Sequence, residues 1–367
     1  MSPTLLFILG AIAVALLLAG LFTRLYLRGE NLAPLDALAG PWAPSQRPPS
    51  DAHAEVLRRL ADMLGGAGGN PMGGRLRTLR ATINAMGDTA DVSGITLRTV
   101  DAGGVPAEWV LAEGADPDRR LLYIHGGAWM MGSPKSHRVI TTELARRTGA
   151  AVLAIDYRLM PEHARLACFE DCQTAYRWVL DHGPDGPSPV RQLFIAGDSA
   201  GGNLTLAITP WARDAGLRAA DAVIALSPAT DGTLSAPSIN DNLATDAMLA
   251  PMFGRLASTP RWLLLWGFWL KTRLRPCDPR VSPLHDTLAG LPPTLVHVSE
   301  AEMLLDDARR YVAKARAAGS PASIESWPHM VHVWHFFAPI LPEGREALAR
   351  IADFIDRHAP RAVPPPL

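Results

Sequence analysis

Cysteine is scarce in this sequence of 367 residues, which has three: Cys168, Cys172 and Cys277. A small and odd number excludes a scaffold held together by several disulfides. Cys168 and Cys172 share one face of a predicted helix, and no other typical metal ligands accompany them. We therefore interpret the three cysteines as reduced core residues, which favours a reducing compartment.

An excess of charge of either sign is also missing. The formal net charge is −1 at pH 7, and the sequence has no basic patch with interleaved aromatic residues. These absences argue against a nucleic-acid partner. A chain of this length has room for one large domain or two medium ones, and it is long enough to bury a large core.

The N-terminal segment lacks charged side chains from residue 1 to residue 23. A helix of about 20 apolar residues spans a bilayer, whereas a cleaved signal peptide has a positive leader and a small-residue cleavage site. Neither is evident here, so we predict a membrane anchor over residues 1–28, with a signal peptide and a buried helix as alternatives. Arg24 and Arg28 follow the apolar run, and the positive-inside rule then predicts that the rest of the chain is cytoplasmic.

Residues 29–92 are predicted to form a linker followed by helices that cap a later site. The stretch 31–50 is rich in proline and alanine and is interpreted as a linker or an extended wrap. Residues 51–64 and 76–86 have the apolar spacing of helices. These helices either cover the site or only pack against the domain.

Residues 93–367 alternate between apolar strands and helices. The predicted strands are 95–100, 108–112, 121–124, 150–155, 193–196, 222–226, 294–298 and 322–327. Such alternation predicts an α/β domain with a mostly parallel central sheet and helices on both faces. The stretch of about 230–275 interrupts the pattern and is predicted to be a cap insertion.

A Gly-Asp-Ser-Ala-Gly sequence at residues 197–201 follows the apolar strand 193–196 and precedes a helix. This is the strand–turn–helix context of a nucleophile elbow, in which a sharp turn holds a serine hydroxyl above the sheet. Ser199 is then the candidate nucleophile, and the amide of Ala200 can donate to an oxyanion. The alternative is a glycine-rich turn that carries a surface serine.

A second motif, His-Gly-Gly-Ala-Trp at residues 125–129, ends the strand 121–124. Consecutive glycines let backbone amides face a ligand without a side chain in the way. Loops of this type form the oxyanion hole of lipases and esterases. We predict that the amides of Gly126 and Gly127, together with that of Ala200, stabilise a tetrahedral oxyanion.

With these motifs in place, the chain from about residue 121 onward resembles the hormone-sensitive-lipase-like family of α/β-hydrolases. The matching stretches are 125–129, 156–163 (Asp-Tyr-Arg-Leu-Met-Pro-Glu-His), 197–202, 278–283 (Asp-Pro-Arg-Val-Ser-Pro) and 291–294 (Leu-Pro-Pro-Thr). The resemblance implies an α/β-hydrolase fold with a helical cap. It also implies carboxylic-ester hydrolysis by a serine, an acid and a histidine, with no metal or organic cofactor.

The same resemblance identifies the catalytic base. The family places its histidine after a methionine and before an apolar–aromatic pair, which corresponds to His332, while His329 and His335 are the alternatives.

The acid is implied by the family's Asp-x-Leu-x-Asp pattern, which this chain matches with a glutamate, Glu302, in the first position. A glutamate can hold an imidazole if its longer side chain is accommodated. Asp306 and Glu300 are the alternatives, although Asp306 and Asp307 are better placed to begin a helix over 305–318, where carboxylates favour the positive end of the dipole.

Two further features bear on the structure of the domain. Pro210 lies within the helix after the elbow, which is predicted to kink or end near Thr209. The tryptophan-rich segment Trp262–Leu270 is too short to span a membrane. It is a buried helix, a cap surface lining an acyl pocket, or a face that rests on the bilayer beside the anchor.

The motifs predict an enzyme that hydrolyses a small-molecule ester, with a lipophilic substrate favoured by the apolar cap and the anchor. An amidase or deacetylase would use the same residues. A ligand-binding relative without chemistry would have lost its nucleophile or base, and both are present here. The sequence carries no information on the oligomeric state.

Overall fold

The computed structural model describes residues 2–39, 47–65 and 72–361. Residues 40–46 and 66–71, which fall within the predicted linker and cap segment 29–92, lie outside the described residues.

An eight-stranded sheet forms the centre of the domain. Its strands are β1 (Ile95–Asp101), β2 (Pro106–Ala112), β3 (Asp116–Ile124), β4 (Ala150–Ile155), β5 (Gln192–Asp198), β6 (Ala222–Leu226), β7 (Thr294–Ser299) and β8 (Ala322–Trp327). Their order across the sheet is β1-β2-β4-β3-β5-β6-β7-β8. Only β2 runs antiparallel to both of its neighbours, and all other pairs are parallel. The predicted mostly parallel sheet is therefore confirmed.

Twelve α-helices are found in the described part of the chain. They are α1 (Pro3–Phe22), α2 (Pro34–Ala39), α3 (Ala52–Gly65), α4 (Met72–Met86), α5 (Arg138–Thr148), α6 (Ala167–Asp181), α7 (Ala200–Asp214), α8 (Ser238–Asp241), α9 (Leu249–Ser258), α10 (Arg261–Thr272), α11 (Leu305–Ala317) and α12 (Pro342–His358). Helices α6, α7 and α11 pack on one face of the sheet and α5 and α12 on the other. Burial of both faces explains why the central strands are continuously apolar.

The sheet places both sequence motifs at one edge. Strands β3 and β5 are parallel neighbours, with Ile124 paired with Gly197 at their carboxyl ends. The loop that begins at His125 and the turn that contains Ser199 therefore leave the sheet side by side. Ligands of parallel sheets bind at this edge.

Helix α7 does not end where the sequence predicts. It continues through Pro210 to Asp214, so of the two outcomes predicted near Thr209, a kink or an end, the end is wrong. Proline removes one helical hydrogen bond, but every residue of this helix up to Pro210 is buried. Packing against the sheet outweighs the missing bond.

The linker prediction for residues 31–50 is incomplete, because this stretch contains the short helix α2. Asp36 of α2 forms a bidentate ion pair with the buried Arg310 of α11, with atoms 2.6 and 2.7 Å apart. A two-bond pair of this kind fixes both direction and position. The chain after the apolar helix is thus attached to the domain.

Helix α1 has no buried residue, and a single π-helical turn (Thr23–Leu27) extends it toward the domain. Together, residues 3–27 form the one helix in the described part of the chain that is long and apolar enough to cross a membrane.

Helix α10 contacts the end of this apolar helix. Phe22 lies 5.3 Å from Trp266 and 5.1 Å from Trp269 between ring centroids. Only Leu265 of α10 is buried, and Trp262 and Leu270 are more than half exposed. The buried-helix interpretation of Trp262–Leu270 is therefore wrong.

Candidate active site

The backbone of the turn after β5 has the strain expected of an elbow. Ser199 adopts φ +52° and ψ −116°, a conformation that L-residues rarely take. Its amide donates to the carbonyl oxygen of Leu226 at 2.7 Å, which ties the turn to the neighbouring strand. A Cβ atom at Gly197 or Gly201 would overlap backbone atoms, so only glycine fits on either side. The hydroxyl of Ser199 is thereby held above the sheet.

Three chain segments converge on this hydroxyl. His332 Nε2 lies 2.9 Å from Ser199 Oγ, within hydrogen-bonding distance. Glu302 Oε2 lies 2.5 Å from the other ring nitrogen, Nδ1, of His332. Glu302 follows β7 and His332 follows β8, so parallel strands bring them to the edge where Ser199 lies.

Glu302 is itself held in place. Its second carboxylate oxygen accepts a hydrogen bond from the amide of Ser299 at 2.9 Å, and its side chain is fully buried. Asn242 donates to the backbone carbonyl of Glu302 at 2.8 Å. The longer glutamate side chain is thus accommodated, with each of its oxygens bonded to one partner.

The alternative residues bond elsewhere. His329 is exposed, and the Nε2 atom of His335 lies 3.1 Å from Nδ1 of His297. Glu300 accepts a hydrogen bond from the Ser326 hydroxyl at 2.8 Å. Asp306 accepts one from the amide of Ser238 at 2.9 Å and lies in the first turn of α11, as does Asp307. The geometry therefore favours His332 as the base over the two alternative histidines, and Glu302 as the acid over Glu300 and Asp306.

The electrostatics of the site suit a base. Burial of the imidazole acts to lower the pKa of His332, but the charge and hydrogen bond of Glu302 outweigh it. The pKa of His332 consequently lies above its ordinary value. A carboxylate that stabilises the imidazolium in this way assists proton transfer from a serine.

The oxyanion loop differs from the sequence prediction at Gly126. Its amide donates to the Asp198 carboxylate at 3.0 Å and is therefore turned away from an incoming substrate. The next residues, Gly127 (φ +114°) and Ala128 (φ +54°), have left-handed backbone conformations and line the same cavity as Ser199. The prediction that the Gly126 amide stabilises the oxyanion is therefore corrected, because this amide already donates to Asp198.

Three amides are left for an oxyanion: those of Gly127, Ala128 and Ala200. Among the described residues, none of them donates to a protein acceptor. Gly127 and Ala200 were expected from the sequence and Ala128 was not. The sequence feature that points to the Ala128 amide is its position directly after the two glycines, where the turn continues.

Asp198 was missed as a positioning residue. Its buried carboxylate accepts hydrogen bonds from Tyr123 Oη at 2.8 Å and from the Gly126 amide, and it lies 3.2 Å from His137 Nε2. Burial acts to raise the pKa of Asp198, but the charge and hydrogen bond of His137 and the Tyr123 bond outweigh it, so the pKa lies below its ordinary value. A carboxylate between the elbow and the oxyanion loop thus fixes one relative to the other.

An apolar cavity of about 90 Å³ opens at Ser199. The cap helices supply much of its wall: Met63, Leu64, Leu79, Ile83 and Met86 from α3 and α4, and Leu249, Met252 and Phe253 from α9. The helices of residues 51–86 therefore line the site as well as pack. No residue of α10 lines this cavity, so the acyl-pocket interpretation of Trp262–Leu270 is wrong.

A serine on a strand–helix elbow, beside a histidine and a carboxylate from later loops, defines a serine hydrolase on an α/β-hydrolase fold. The family described as alpha/beta hydrolase fold matches residues 121–336 of this chain. The chain belongs to the hormone-sensitive-lipase-like family of α/β-hydrolases, whose members include esterases.

Curated relatives and solved structures agree with this assignment. An acetyl-hydrolase of Streptomyces hygroscopicus is 39% identical over 257 residues, covering 70% of this chain and 81% of the relative. A carboxylesterase/phospholipase of Mycobacterium tuberculosis is 36% identical over 281 residues, covering 76% of this chain and 69% of the relative. A crystal structure of an esterase from the bacterial hormone-sensitive lipase family is 37% identical with a TM-score of 0.71, covering 86% of this chain and 99% of that one.

Proposed function

We propose that this protein hydrolyses carboxylic esters with an apolar acyl group, through a covalent acyl-enzyme on Ser199. The contact that carries the proposal is the 2.9 Å approach of His332 Nε2 to Ser199 Oγ, with Glu302 on the far side of the imidazole. An apolar cavity that ends at this serine supports an apolar substrate group. The names of the relatives, an acetyl-hydrolase and a carboxylesterase/phospholipase, support an ester bond.

The residues act in two half-reactions. Ser199 Oγ attacks the ester carbonyl while His332 accepts its proton, and the tetrahedral intermediate expels the alcohol, which takes that proton from His332. Water then attacks the acyl-enzyme with His332 again accepting a proton, which returns to Ser199 as the acid leaves. Glu302 holds the imidazole in the productive tautomer and stabilises its cation.

The amides of Gly127, Ala128 and Ala200 are proposed to stabilise the oxyanion in both half-reactions. They lie on turns fixed by the sheet, and such preorganised donors need no rearrangement during the reaction. Loss of one donor of this kind costs about 3 kcal/mol in the barrier.

The experiment that tests the proposal combines labelling and turnover. A fluorophosphonate probe is expected to modify Ser199, as mapped by peptide mass spectrometry, and p-nitrophenyl esters are expected to be hydrolysed. The matching p-nitroanilides distinguish an amidase from an esterase. Absence of both labelling and turnover would favour a ligand-binding protein.

The walls of the cavity predict how acyl length is selected. Met63→Trp places a larger side chain in the cavity and leaves less room for a long acyl chain. Because the octanoyl chain then loses apolar contacts with the cavity wall, kcat/KM for p-nitrophenyl octanoate should fall by about 10-fold or more. The loss for the acetate should be much smaller. Leu57→Trp is the matched control, because Leu57 lies on the same helix and is partly exposed. An equal loss for both esters would show that the cavity does not hold the acyl chain.

The raised pKa of His332 predicts the acid side of the pH profile. Only the neutral imidazole accepts a proton, so kcat/KM should fall as the pH is lowered through the pKa of His332. Because Glu302 raises that pKa above the usual value of 6.5, the midpoint of the fall should lie above pH 6.5. Product chromatography of butyrate hydrolysis measures this midpoint, and a midpoint below pH 6.5 would contradict the proposed pairing.

We also propose that residues 3–27 remain attached as a membrane anchor, with Arg24 and Arg28 favouring a cytoplasmic domain. A cleaved leader would take with it contacts that the domain uses: Trp266 Nε1 donates to Thr23 Oγ1 at 2.7 Å, and Leu27 is fully buried. The full-length protein is therefore expected to stay in the membrane pellet after alkaline carbonate extraction. Release of intact protein, or an N-terminus that begins after residue 27, would contradict the anchor.

A further inference from the structure

A second cavity, of about 680 Å³, lies where the apolar helix joins the hydrolase domain. Four arginines line it: Arg24 and Arg28 from the end of that helix, Arg261 from α10 and Arg310 from α11. It shares no lining residue with the cavity at Ser199.

Two of these arginines are fixed by the protein. Arg261 donates from Nε and Nη2 to the carbonyl and hydroxyl oxygens of Thr233 at 2.7 and 2.8 Å. Arg310 is held by the bidentate pair with Asp36 and by a bond from Nη1 to Ser235 Oγ at 3.0 Å. Guanidinium groups held from the protein side are preorganised for an anion, because little side-chain entropy is lost on binding.

Three of the arginines are not neutralised locally. In the described part of the chain, no carboxylate lies within 4.0 Å of Arg24, Arg28 or Arg261. Burial lowers the pKa of Arg261, and the positive charges of Arg28 and Arg310 lower it further, against the opposing effect of Asp231. Like charges that face one cavity favour an anionic ligand between them.

Among the residues that the structure describes, Glu30 is the one carboxylate that lines this cavity, and it and the carboxylates nearby already have partners. Glu30 pairs with Lys314, and Asp36 pairs with Arg310. Asp231 is fully buried, accepts a hydrogen bond from Ser235 and lies 3.3 Å from His285 Nε2. The cavity therefore keeps its positive charge.

The location of the cavity at the end of the apolar helix indicates which kind of anion it meets. The 20 residues of α1, at about 1.5 Å of rise each, match a hydrocarbon core of about 30 Å. The turn that follows, with Arg24 and Arg28, then lies at the depth of lipid headgroups. Helix α10 contacts the end of the apolar helix at Phe22. It also exposes Trp262, a residue type that favours the membrane interface.

We propose that this arginine-lined cavity binds the phosphate of an anionic phospholipid headgroup. Arginine pairs with phosphate through two parallel N–H bonds, and basic pockets beside membrane helices bind anionic lipids. The proposal rests on the membrane anchor proposed above. A bound headgroup would hold the hydrolase domain at the bilayer, on the side of the molecule where α10 is exposed.

The test measures lipid bound to the full-length protein. The protein is purified in a neutral detergent and titrated with phosphatidylglycerol, phosphatidylcholine or inorganic phosphate, and bound species are counted by native mass spectrometry. Phosphatidylglycerol is expected to bind at least about 10-fold more tightly than phosphatidylcholine, and Arg28→Gln/Arg261→Gln should remove that preference. Arg357→Gln, an exposed arginine on α12, is the control and should leave it unchanged.

Each outcome bears on the proposal separately from the anchor and from catalysis. Equal binding of the two lipids, or an unchanged preference in the double variant, would overturn it. Inorganic phosphate that binds as tightly as phosphatidylglycerol would assign the cavity to a free anion and overturn the lipid assignment. Hydrolysis of p-nitrophenyl acetate verifies that the Arg28→Gln/Arg261→Gln protein is folded. If that protein is not folded, the test is repeated with Arg24→Gln/Arg28→Gln, which changes only exposed side chains. Carbonate extraction reports on the anchor alone.

Discussion

Replacement of Ser199 by alanine is expected to lower kcat for p-nitrophenyl butyrate by about 10⁴-fold or more. The hydroxyl is the only group removed, and no acyl-enzyme can form without it. The oxyanion amides and the apolar cavity are left in place, so KM and the thermal midpoint should change little. Steady-state kinetics, with fluorophosphonate labelling to count active sites, measures the loss.

Ser323→Ala provides the matched control, because it removes a half-buried serine hydroxyl from the last strand without touching the site. It should retain the wild-type rate and be labelled normally at Ser199. If Ser199→Ala kept a rate within about 10-fold of the wild type, covalent catalysis through this residue would be excluded.

The parts of the site that the sequence predicted are those determined by chain order and local turns. The elbow at residues 197–201 is specified by its glycines, since no other residue fits the turn. The strands that precede Ser199 and Glu302 are apolar and fully or almost fully buried, so their composition identifies them. Because parallel strands present their carboxyl ends at one edge, the predicted side chains had to lie near one another.

The parts that could not be predicted depend on contacts between distant segments. Which amide of the oxyanion loop is free depends on Asp198, which is 72 residues away from Gly126 along the chain. The sequence predicts that α7 kinks or ends near Thr209, but burial against the sheet keeps the helix continuous to Asp214. The surface presented by α10 depends on its packing against Phe22, and helical periodicity alone does not show that contact.

The substitution of glutamate for the family's aspartate is the feature of the site most open to test. In the structure, Glu302 divides its two oxygens between His332 Nδ1 at 2.5 Å and the Ser299 amide at 2.9 Å. An aspartate at this position is one methylene shorter and cannot keep both contacts without movement of the backbone.

Glu302→Gln is therefore expected to lower kcat by about 10³- to 10⁴-fold, because an amide neither stabilises the imidazolium nor enforces the productive tautomer. Glu302→Asp keeps the charge but loses reach, so its loss should be smaller, at about 10- to 100-fold. Glu300→Gln is the matched control two residues earlier. It lies outside the proposed triad and should stay close to the wild-type rate.

The pH profile of the glutamine variant separates a catalytic role from a structural one. With the charge of Glu302 gone, burial of the imidazole is left as the main influence, and it lowers the pKa of His332. The acid limb of the residual activity should consequently move to lower pH than in the wild type, while Glu300→Gln leaves it in place. A variant that was merely unfolded in part would lose amplitude without moving the limb. An unmoved limb in folded Glu302→Gln would show that another carboxylate governs His332. Asp246, whose charge also raises the pKa of His332, would then be the first to replace.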